Sequence, residues 1–348
     1  MEAGCGSISK ACVVGSGSWG TAFTGILAPN VGEVVLWCRS AQVAEEINLK
    51  RRNPRRLCSY ELCENVSATA DAALALDGAG VVVLAVPSAH LRGVCRGIAL
   101  YVLKDAIIVV LTKGMEPGTH KLMHEIAVDE FGDASRIAVV SGPNHAEEIS
   151  RGQVSAAVVA ASNTSVAERV QNLVFSYSFR SYVSSDVIGV EVCGAVKNVV
   201  AIACGLAAGL GAGDNTLAAL MTRGIAEVAR ISSALGGDPL TPMGLAGMGD
   251  LVATCTSEHS RNRTFGESLA RGETLAEYEA RTNMVVEGAR AAMSIYELAV
   301  ERGIEAPITA AVHGVLVNEL DIDSAKESLL GRLPREEFYG MTVKTGKE

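Results

Sequence analysis

The sequence predicts an α/β chain, with a parallel sheet in its first half and helices alone in its second. Three observations carry this. Short apolar runs alternate with helical patterns up to about residue 185. From Gly189 onward long helical patterns dominate and strands are hard to find. Between the first apolar run and the first helical pattern stands "VVGSGSWG", a glycine triplet spaced G-x-G-x-x-G at Gly15, Gly17 and Gly20.

The elements follow in order. Ala11–Val14 reads as a buried strand and Thr21–Leu27 as a helix. Glu33–Cys38 reads as a second strand, and the polar stretch Ala41–Lys50 as a helix. Val81–Val86, Ala106–Leu111 and Ile137–Val140 are uninterrupted apolar strands, and Ala156–Ala160 with Phe179–Val183 completes the sheet. Such runs, bounded by turn residues, imply βαβ units and a parallel sheet covered on both faces. In the second half Gly211–Asn215 breaks two helices, with Asp214 or Asn215 available as a cap. Gly244–Gly249 is a second glycine-rich break, and Ser257–Arg263 reads as a polar loop. The stretch Arg335–Glu348 reads as frayed.

Bulk properties narrow the classes. With 348 residues, about two domains are expected. Hydrophobic residues make up 49% and aromatics only 4%, so Ala, Val, Leu and Ile must fill the core. A net charge of -9 argues against a nucleic-acid partner, which would select a basic face. It leaves an anionic small molecule open, because a few local cations suffice for that. Met1–Lys10 lacks a basic segment followed by an apolar run, so no secretory signal is expected and the location expected is cytoplasmic. Val187–Leu210 is long and apolar, but Glu191, Lys197 and Asn198 interrupt it, which reads as a buried helix without stable membrane insertion. Nine scattered cysteines without a C-x-x-C pair read as reduced thiols. His120 and His124 stand at i, i+4 spacing but have no third ligand, so they read as surface helix residues and no metal is expected.

The glycine triplet follows a strand and opens a helix, which is the setting of a Rossmann dinucleotide turn. Gly15 permits the tight turn, Gly17 lets backbone approach a pyrophosphate, and Gly20 allows close helix–strand packing. The fold class expected is therefore an N-terminal Rossmann-type doubly wound sheet followed by an all-helical C-terminal domain. The expected domains are residues 1–186, binding the dinucleotide, and 187–348, binding substrate. An NAD site usually places a carboxylate at the end of the second strand. Here the strand runs into Trp37-Cys38-Arg39-Ser40. Arg39 can pair with a 2′-phosphate, which admits NADP as well as NAD. Arg51, Arg52, Arg55 and Arg56 form a basic run that reads as a solvated face.

Chemistry is sought outside the carboxyl ends of the strands. Lys113 follows one such strand directly. Lys197, beside Asn198 in "VCGAVKNVVAIACG", is the most unusual residue, because burial disfavours an ammonium and makes it a candidate acid/base. A nearby Asp250 would hold it and partly restore its charge. Ser260, Arg261 and Asn262 in "SEHSRNRTFG" offer a planar fork and neutral hydrogen bonds suited to phosphate oxygens.

With these motifs in order, the chain closely resembles the bacterial-type NAD(P)-dependent glycerol-3-phosphate dehydrogenases, from about residue 10 to 335. The resemblance rests on "GSGSWGTAF", "LWCR", "AVPS", "LTKG", "SGPNHAEEI", "GAVKNVVAIACGLAAGLGAGDNTLAALMTRG", "GMGDLVATCTSEHSRNRTFG" and "VVEGARAA". It implies interconversion of sn-glycerol 3-phosphate and dihydroxyacetone phosphate, usually as reduction feeding phospholipid synthesis. It implies Lys197 as proton donor and acceptor at the substrate C2 oxygen, with Lys113, Asn198, Asp250 and Thr254 as companions. Gly142, Asn144, Ser260, Arg261 and Asn262, with Lys113, Lys197 and Asp250, would hold substrate. Gly15, Gly17, Ser18, Trp19, Gly20, Arg39, Lys113, Ala146, Arg261, Val285 and Glu287 would contact NAD or NADP. Two departures stand out. Asn144 replaces a frequent Ser, and "NPRRLCSYEL" lacks the usual Tyr-Leu-Pro-Gly near the adenosine side. Monomer and homodimer both stay open, since the apolar helices of the second domain could bury a dimer face. Two other readings are a related dehydrogenase of hydroxy acids or hydroxyacyl thioesters, and a nucleotide sensor without catalysis.

Overall fold

A computed structural model of the chain describes residues 8–283, 285–333, 336, 337, 339 and 340. These form two compact units. One takes in the described residues up to Thr112 together with Met123–Val187; the other takes in Lys113–Leu122 together with the described residues from Ile188 onward.

The first unit is an eight-stranded sheet: β1 Lys10–Val14, β2 Glu33–Trp37, β3 Val66–Thr69, β4 Val81–Leu84, β5 Ile107–Val110, β6 Ile137–Ser141, β7 Ser155–Ala161 and β8 Phe179–Ser184. Its order is β3-β2-β1-β4-β5-β6-β7-β8. The pairs are parallel, apart from β6 with β7, where Val140 lies opposite Val159 in antiparallel register. That corrects the all-parallel expectation, since apolar runs of β6 and β7 carry no mark of direction. The strand β3 is an addition to the elements read from sequence. Its four residues VSAT alternate buried and half-buried at the sheet edge, so no continuous apolar run announces it. The central β4 and β5, VVVL and IIVV, are buried throughout, as a doubly covered sheet requires.

Helices α1 Ser18–Leu27, α2 Ala41–Lys50, α3 Ala72–Leu76, α4 Leu91–Ile98, α5 Met123–Phe131, α6 Ala146–Ile149 and α7 Thr164–Leu173 accompany the sheet. Phe23, Leu27, Leu36 and Ile47 are among the largest fully buried side chains of its core. Burying each such side chain contributes roughly 1.5–3 kcal/mol. His120 lies outside α5, with a left-handed φ of 55°, so it shares no helical face with His124.

The second unit contains α8 Val187–Gly209, α9 Asp214–Ala234, α10 Asp250–Thr256, α11 Arg261–Ala270, α12 Leu275–Thr282, α13 Glu287–Arg302, α14 Pro307–Leu316 and α15 Ile322–Leu330. From Gly189 to Gly205 every residue of α8 is buried, Glu191, Lys197 and Asn198 included. It is the one helix among the described residues long and apolar enough to cross a bilayer, and most of that surface is spent inside the fold. Glycine brings α8 and α11 into backbone contact. A Cβ on Gly205 would stand 2.0 Å from the Arg263 carbonyl oxygen, and one on Gly266 2.2 Å from that of Ile202.

Three local expectations change. The residue capping α9 is Gly213, without a side-chain hydrogen bond, and Asp214 opens the helix. The glycine-rich break before Asp250 winds into a π-helical turn, Leu245–Gly249, that feeds α10. The polar loop ends at Ser260, because its hydroxyl accepts from the Arg263 N–H at 3.3 Å and starts α11 at Arg261. Of the stretch 335–348, the described residues are 336, 337, 339 and 340; the rest of the fraying expectation lies outside the described residues.

Candidate active site

Lys197 occupies the middle of α8 and is buried, so its charge needs partners there. The π-helical turn Leu245–Gly249 delivers Asp250 as the first residue of α10, and one turn later the same helix supplies Thr254. The Lys197 ammonium donates to Asp250 Oδ1 and, at 2.8 Å, to Thr254 Oγ1. The Thr254 hydroxyl donates back to the Asp250 carbonyl oxygen at 2.6 Å. Lys113, which belongs to the second unit, donates to Asp250 Oδ2 at 2.6 Å. One buried carboxylate thus faces two ammonium groups, with a net charge of +1 when both are protonated.

That imbalance sets the proton affinities. Burial lowers the Lys197 pKa, Asp250 opposes the shift, and Lys113 adds to it, leaving a value of about 8. Burial works to raise the Asp250 carboxyl, but the two ammonium groups outweigh it and hold the group below the usual carboxylate range. The carboxylate therefore stays ionised at neutral pH while Lys197 sits close to its own titration point. A general acid/base works best in that condition.

The neighbouring Asn198 ties three helices together. Its Oδ1 accepts from Asn262 Nδ2 on α11 at 2.9 Å, and Asn262 Oδ1 accepts from the Gly288 N–H on α13 at 2.9 Å. A Cβ at Gly288 would stand 2.6 Å from the Asn198 carbonyl oxygen, so only glycine lets α13 approach. Asn262 keeps one amide N–H for a ligand, fewer than a free side chain would offer. Ser260 is buried as the α11 cap, while Arg261 is exposed at the start of that helix and reaches the Val285 carbonyl oxygen at 3.4 Å. Glu287 opens α13 beside Gly288.

The remaining expected residues lie on the first unit. Gly142 follows β6, Ala146 opens α6, and between them Asn144 donates to the Pro143 and Ala156 carbonyl oxygens, each at 3.0 Å. Its buried Oδ1 is without a partner. The glycine turn has the shape a dinucleotide needs. Gly15 has φ 117°, and a Cβ there would meet the Ala85 carbonyl oxygen at 2.6 Å. A Cβ on Gly20 would meet the Gly15 carbonyl oxygen at 2.0 Å, so α1 is seated against the turn. Around Gly17 there is open space, with no atom within 4 Å of an added Cβ. Gly17 caps α1 with no side-chain bond and no acid follows in the first turn, which leaves the N–H groups of Ser18 and Trp19 to an anion. Trp19 itself packs edge-on against Phe23 at 5.4 Å. Arg39 is exposed between β2 and α2, with no hydrogen bond or ion pair among the described residues. The residues present therefore fit a dinucleotide with or without a 2′-phosphate.

Asn53 opens the "NPRRLCSYEL" stretch, and the sequence reading assigns it no role. Fully buried, it donates to the Ser16 carbonyl oxygen at 2.9 Å and to Thr21 Oγ1 at 2.8 Å, and accepts from the Arg55 and Arg56 N–H groups. It anchors the arginine-bearing loop to the glycine turn. The solvated reading of that loop changes in part: Arg51 holds the Leu62 carbonyl oxygen at 3.1 Å and Arg52 pairs with Glu61 at 2.9 Å. An Asn-Pro between two Arg pairs was the available sign, and nothing local says what the asparagine binds.

A sheet with this glycine turn and a helical unit with a buried lysine define the dinucleotide-dependent dehydrogenase class. The family models for the N-terminus and C-terminus of NAD-dependent glycerol-3-phosphate dehydrogenase match residues 10–167 and 186–327. A glycerol-3-phosphate dehydrogenase [NAD(P)+] of Corynebacterium aurimucosum is 45% identical over 332 residues, covering 95% of this chain and all of that one. Another, of Streptomyces griseus, is 47% identical over 329 residues, with 94% and 98% covered. The crystal structure of glycerol-3-phosphate dehydrogenase from Coxiella burnetii superimposes with a TM-score of 0.89 at 35% identity, covering 94% of this chain and 100% of that one. The chain belongs to the NAD-dependent glycerol-3-phosphate dehydrogenase family.

Proposed function

We propose that this chain interconverts dihydroxyacetone phosphate and sn-glycerol 3-phosphate with NADH or NADPH. The observation that carries the reading is the cluster of Lys197, Asp250 and Lys113 with Thr254, in a chain of this family. When bound, the nicotinamide would supply hydride to the carbonyl carbon of the substrate. Negative charge then develops on the C2 oxygen. Protonated Lys197 delivers the proton there, and the excess positive charge of the cluster stabilises the oxyanion. Asp250 and Thr254 hold the Lys197 ammonium in one orientation. Arg261, Asn262 and Ser260 receive the substrate phosphate, whose binding energy orients the carbonyl. Gly142 and Asn144 are assigned further substrate contacts. The glycine turn with Ser18 and Trp19 carries the pyrophosphate, Arg39 the adenosine end, and Ala146, Val285 and Glu287 complete the cofactor contacts. The enzyme works in the cytoplasm without inserting into a bilayer, and its product feeds phospholipid synthesis.

The direct test follows NADH and NADPH oxidation with dihydroxyacetone phosphate; absence of turnover with both would sink the reading. The Lys197 pKa gives the two directions opposite pH dependence. Reduction needs the protonated amine, so its kcat holds below pH about 8 and declines above it. Oxidation needs the free amine, so its kcat climbs towards pH about 8 and then levels. Pre-steady-state hydride transfer in both directions checks this, and parallel profiles would contradict it. Arg39→Ala should raise the NADPH dissociation constant about ten-fold, the scale of one charge-assisted bond, and leave that of NADH nearly unchanged. Equal effects on the two cofactors, read by nucleotide fluorescence, would remove Arg39 from the 2′-phosphate site.

A further inference from the structure

Lys113 does not stand on a helix or a strand. It begins a tight hairpin, Lys113–Leu122, closed by an antiparallel bridge between Met115 and Leu122. The Glu116 N–H donates to the Lys121 carbonyl oxygen at 2.9 Å, and the His120 N–H to that of Glu116 at 3.0 Å. The Thr119 hydroxyl donates to Glu116 Oε2 at 2.6 Å. At the tip, His120 takes its left-handed φ of 55° and carries its ring to α13. There Nε2 lies 3.1 Å from Glu297 and Nδ1 3.3 Å from Glu301, one turn apart on the same helix face. The ring is mostly covered, at 16% exposure. The same helix opens at Glu287 and Gly288, where it meets Asn262. One rod of 16 residues therefore holds the hairpin of Lys113 along its length and the amide chain of the α11 site at its start.

We propose that His120 is a positioning residue for Lys113: its imidazolium, gripping Glu297 and Glu301, fixes the Lys113–Leu122 hairpin on α13. The inference rests on the placing of Lys113 in the catalytic machinery. Its chemistry is that of the ring nitrogens. Only the imidazolium carries N–H at both, so only it donates to both carboxylates. The neutral ring keeps one bond and turns a lone pair towards the other oxygen. Charged groups near it among the described residues include Glu297 and Glu301, with Arg302 at 4.0 Å from Glu301, and its own hairpin carries Glu116 and Lys121. The grip on both carboxylates therefore needs the ring protonated at both nitrogens.

The test compares His120→Asn, a neutral residue tolerant of the left-handed conformation, with His120→Lys, which keeps a charge. Steady-state reduction of dihydroxyacetone phosphate is measured from pH 6 to 8, and circular dichroism confirms that each variant is folded. At pH 6 the kcat of His120→Asn should fall about five-fold, the scale of one part-exposed ion pair, with KM little changed. The ratio of wild type to His120→Asn should fall as pH rises, because only the imidazolium makes both bonds. Lys197 is protonated below pH about 8 in wild type, and a displaced Lys113 would only raise its pKa, so its titration does not drive that ratio over this range. His120→Lys should recover part of the lost kcat at pH 6. A ratio that does not vary with pH, or wild-type kcat in His120→Asn at pH 6, would overturn the proposal. Lys113→Ala separates it from its premise: if that variant keeps wild-type kcat, the role of Lys113 fails; if it loses activity while His120→Asn does not, only the latch fails.

Discussion

Lys197→Met is expected to lower kcat for dihydroxyacetone phosphate reduction by about three orders of magnitude while the protein stays folded. General acid catalysis by a positioned group contributes about 10²–10⁴-fold, and Lys197 is the amine that Asp250 Oδ1 and Thr254 hold. Methionine keeps the unbranched shape and suits a buried position. It also relieves the burial of an ammonium, and Asp250 keeps Lys113 as its partner. Stability should therefore be preserved or raised, which separates a chemical loss from an unfolded chain. The binding of dihydroxyacetone phosphate, followed by calorimetry, should weaken far less than kcat. A Lys197→Met enzyme within ten-fold of wild-type kcat would remove Lys197 from the proton transfer.

Asp250→Asn should have the largest effect on the fold. The amide is nearly the same shape, but the two ammonium groups of Lys113 and Lys197 then lack their shared counter-charge. Breaking a buried ion pair from one side costs about 3–5 kcal/mol, because the remaining charge is stranded. The chain can escape part of that cost by releasing the Lys197 proton. Asp250 is the largest influence raising the Lys197 pKa, so its loss drives that pKa below the wild-type value of about 8. A group whose folded pKa lies under its unfolded one makes stability increase with pH between the two values. Wild type should gain stability above pH about 8, and Asp250→Asn should begin to gain it at lower pH. Urea unfolding at pH 6 and pH 9 should thus show a larger deficit at pH 6. An equal deficit at both, or none at pH 6, would mean that Asp250 does not hold two cations.

The elements that local pattern marks were readable in the sequence. Central strands such as VVVL and IIVV announce burial on both faces, and the glycine triplet between strand and helix announces its own geometry. The edge strand β3 and the reversal between β6 and β7 were not, because neither a mixed four-residue strand nor a strand direction leaves a local mark. Lys197 was conspicuous as a charge inside an apolar helix, whereas His120 and Asn53 were not, since their meaning lies in partners far along the chain.

What the sequence determined alone is therefore the sheet with its dinucleotide turn, the helical second half, and the residue types able to move a proton and hold a phosphate. Tertiary structure decided which of them act together. Lys197 meets Asp250 across 53 positions and Lys113 meets it across 137, while Asn262 reaches Asn198 across 64. It also assigned Lys113 to the helical unit through a ten-residue hairpin, Lys113–Leu122, that no composition change marks. The physical reason is the range of the forces. Backbone preference and hydrophobic periodicity act over a few neighbouring residues. The proton affinity of Lys197 depends on burial and on two charges that only the packing of α8, α10 and the hairpin brings within hydrogen-bonding distance.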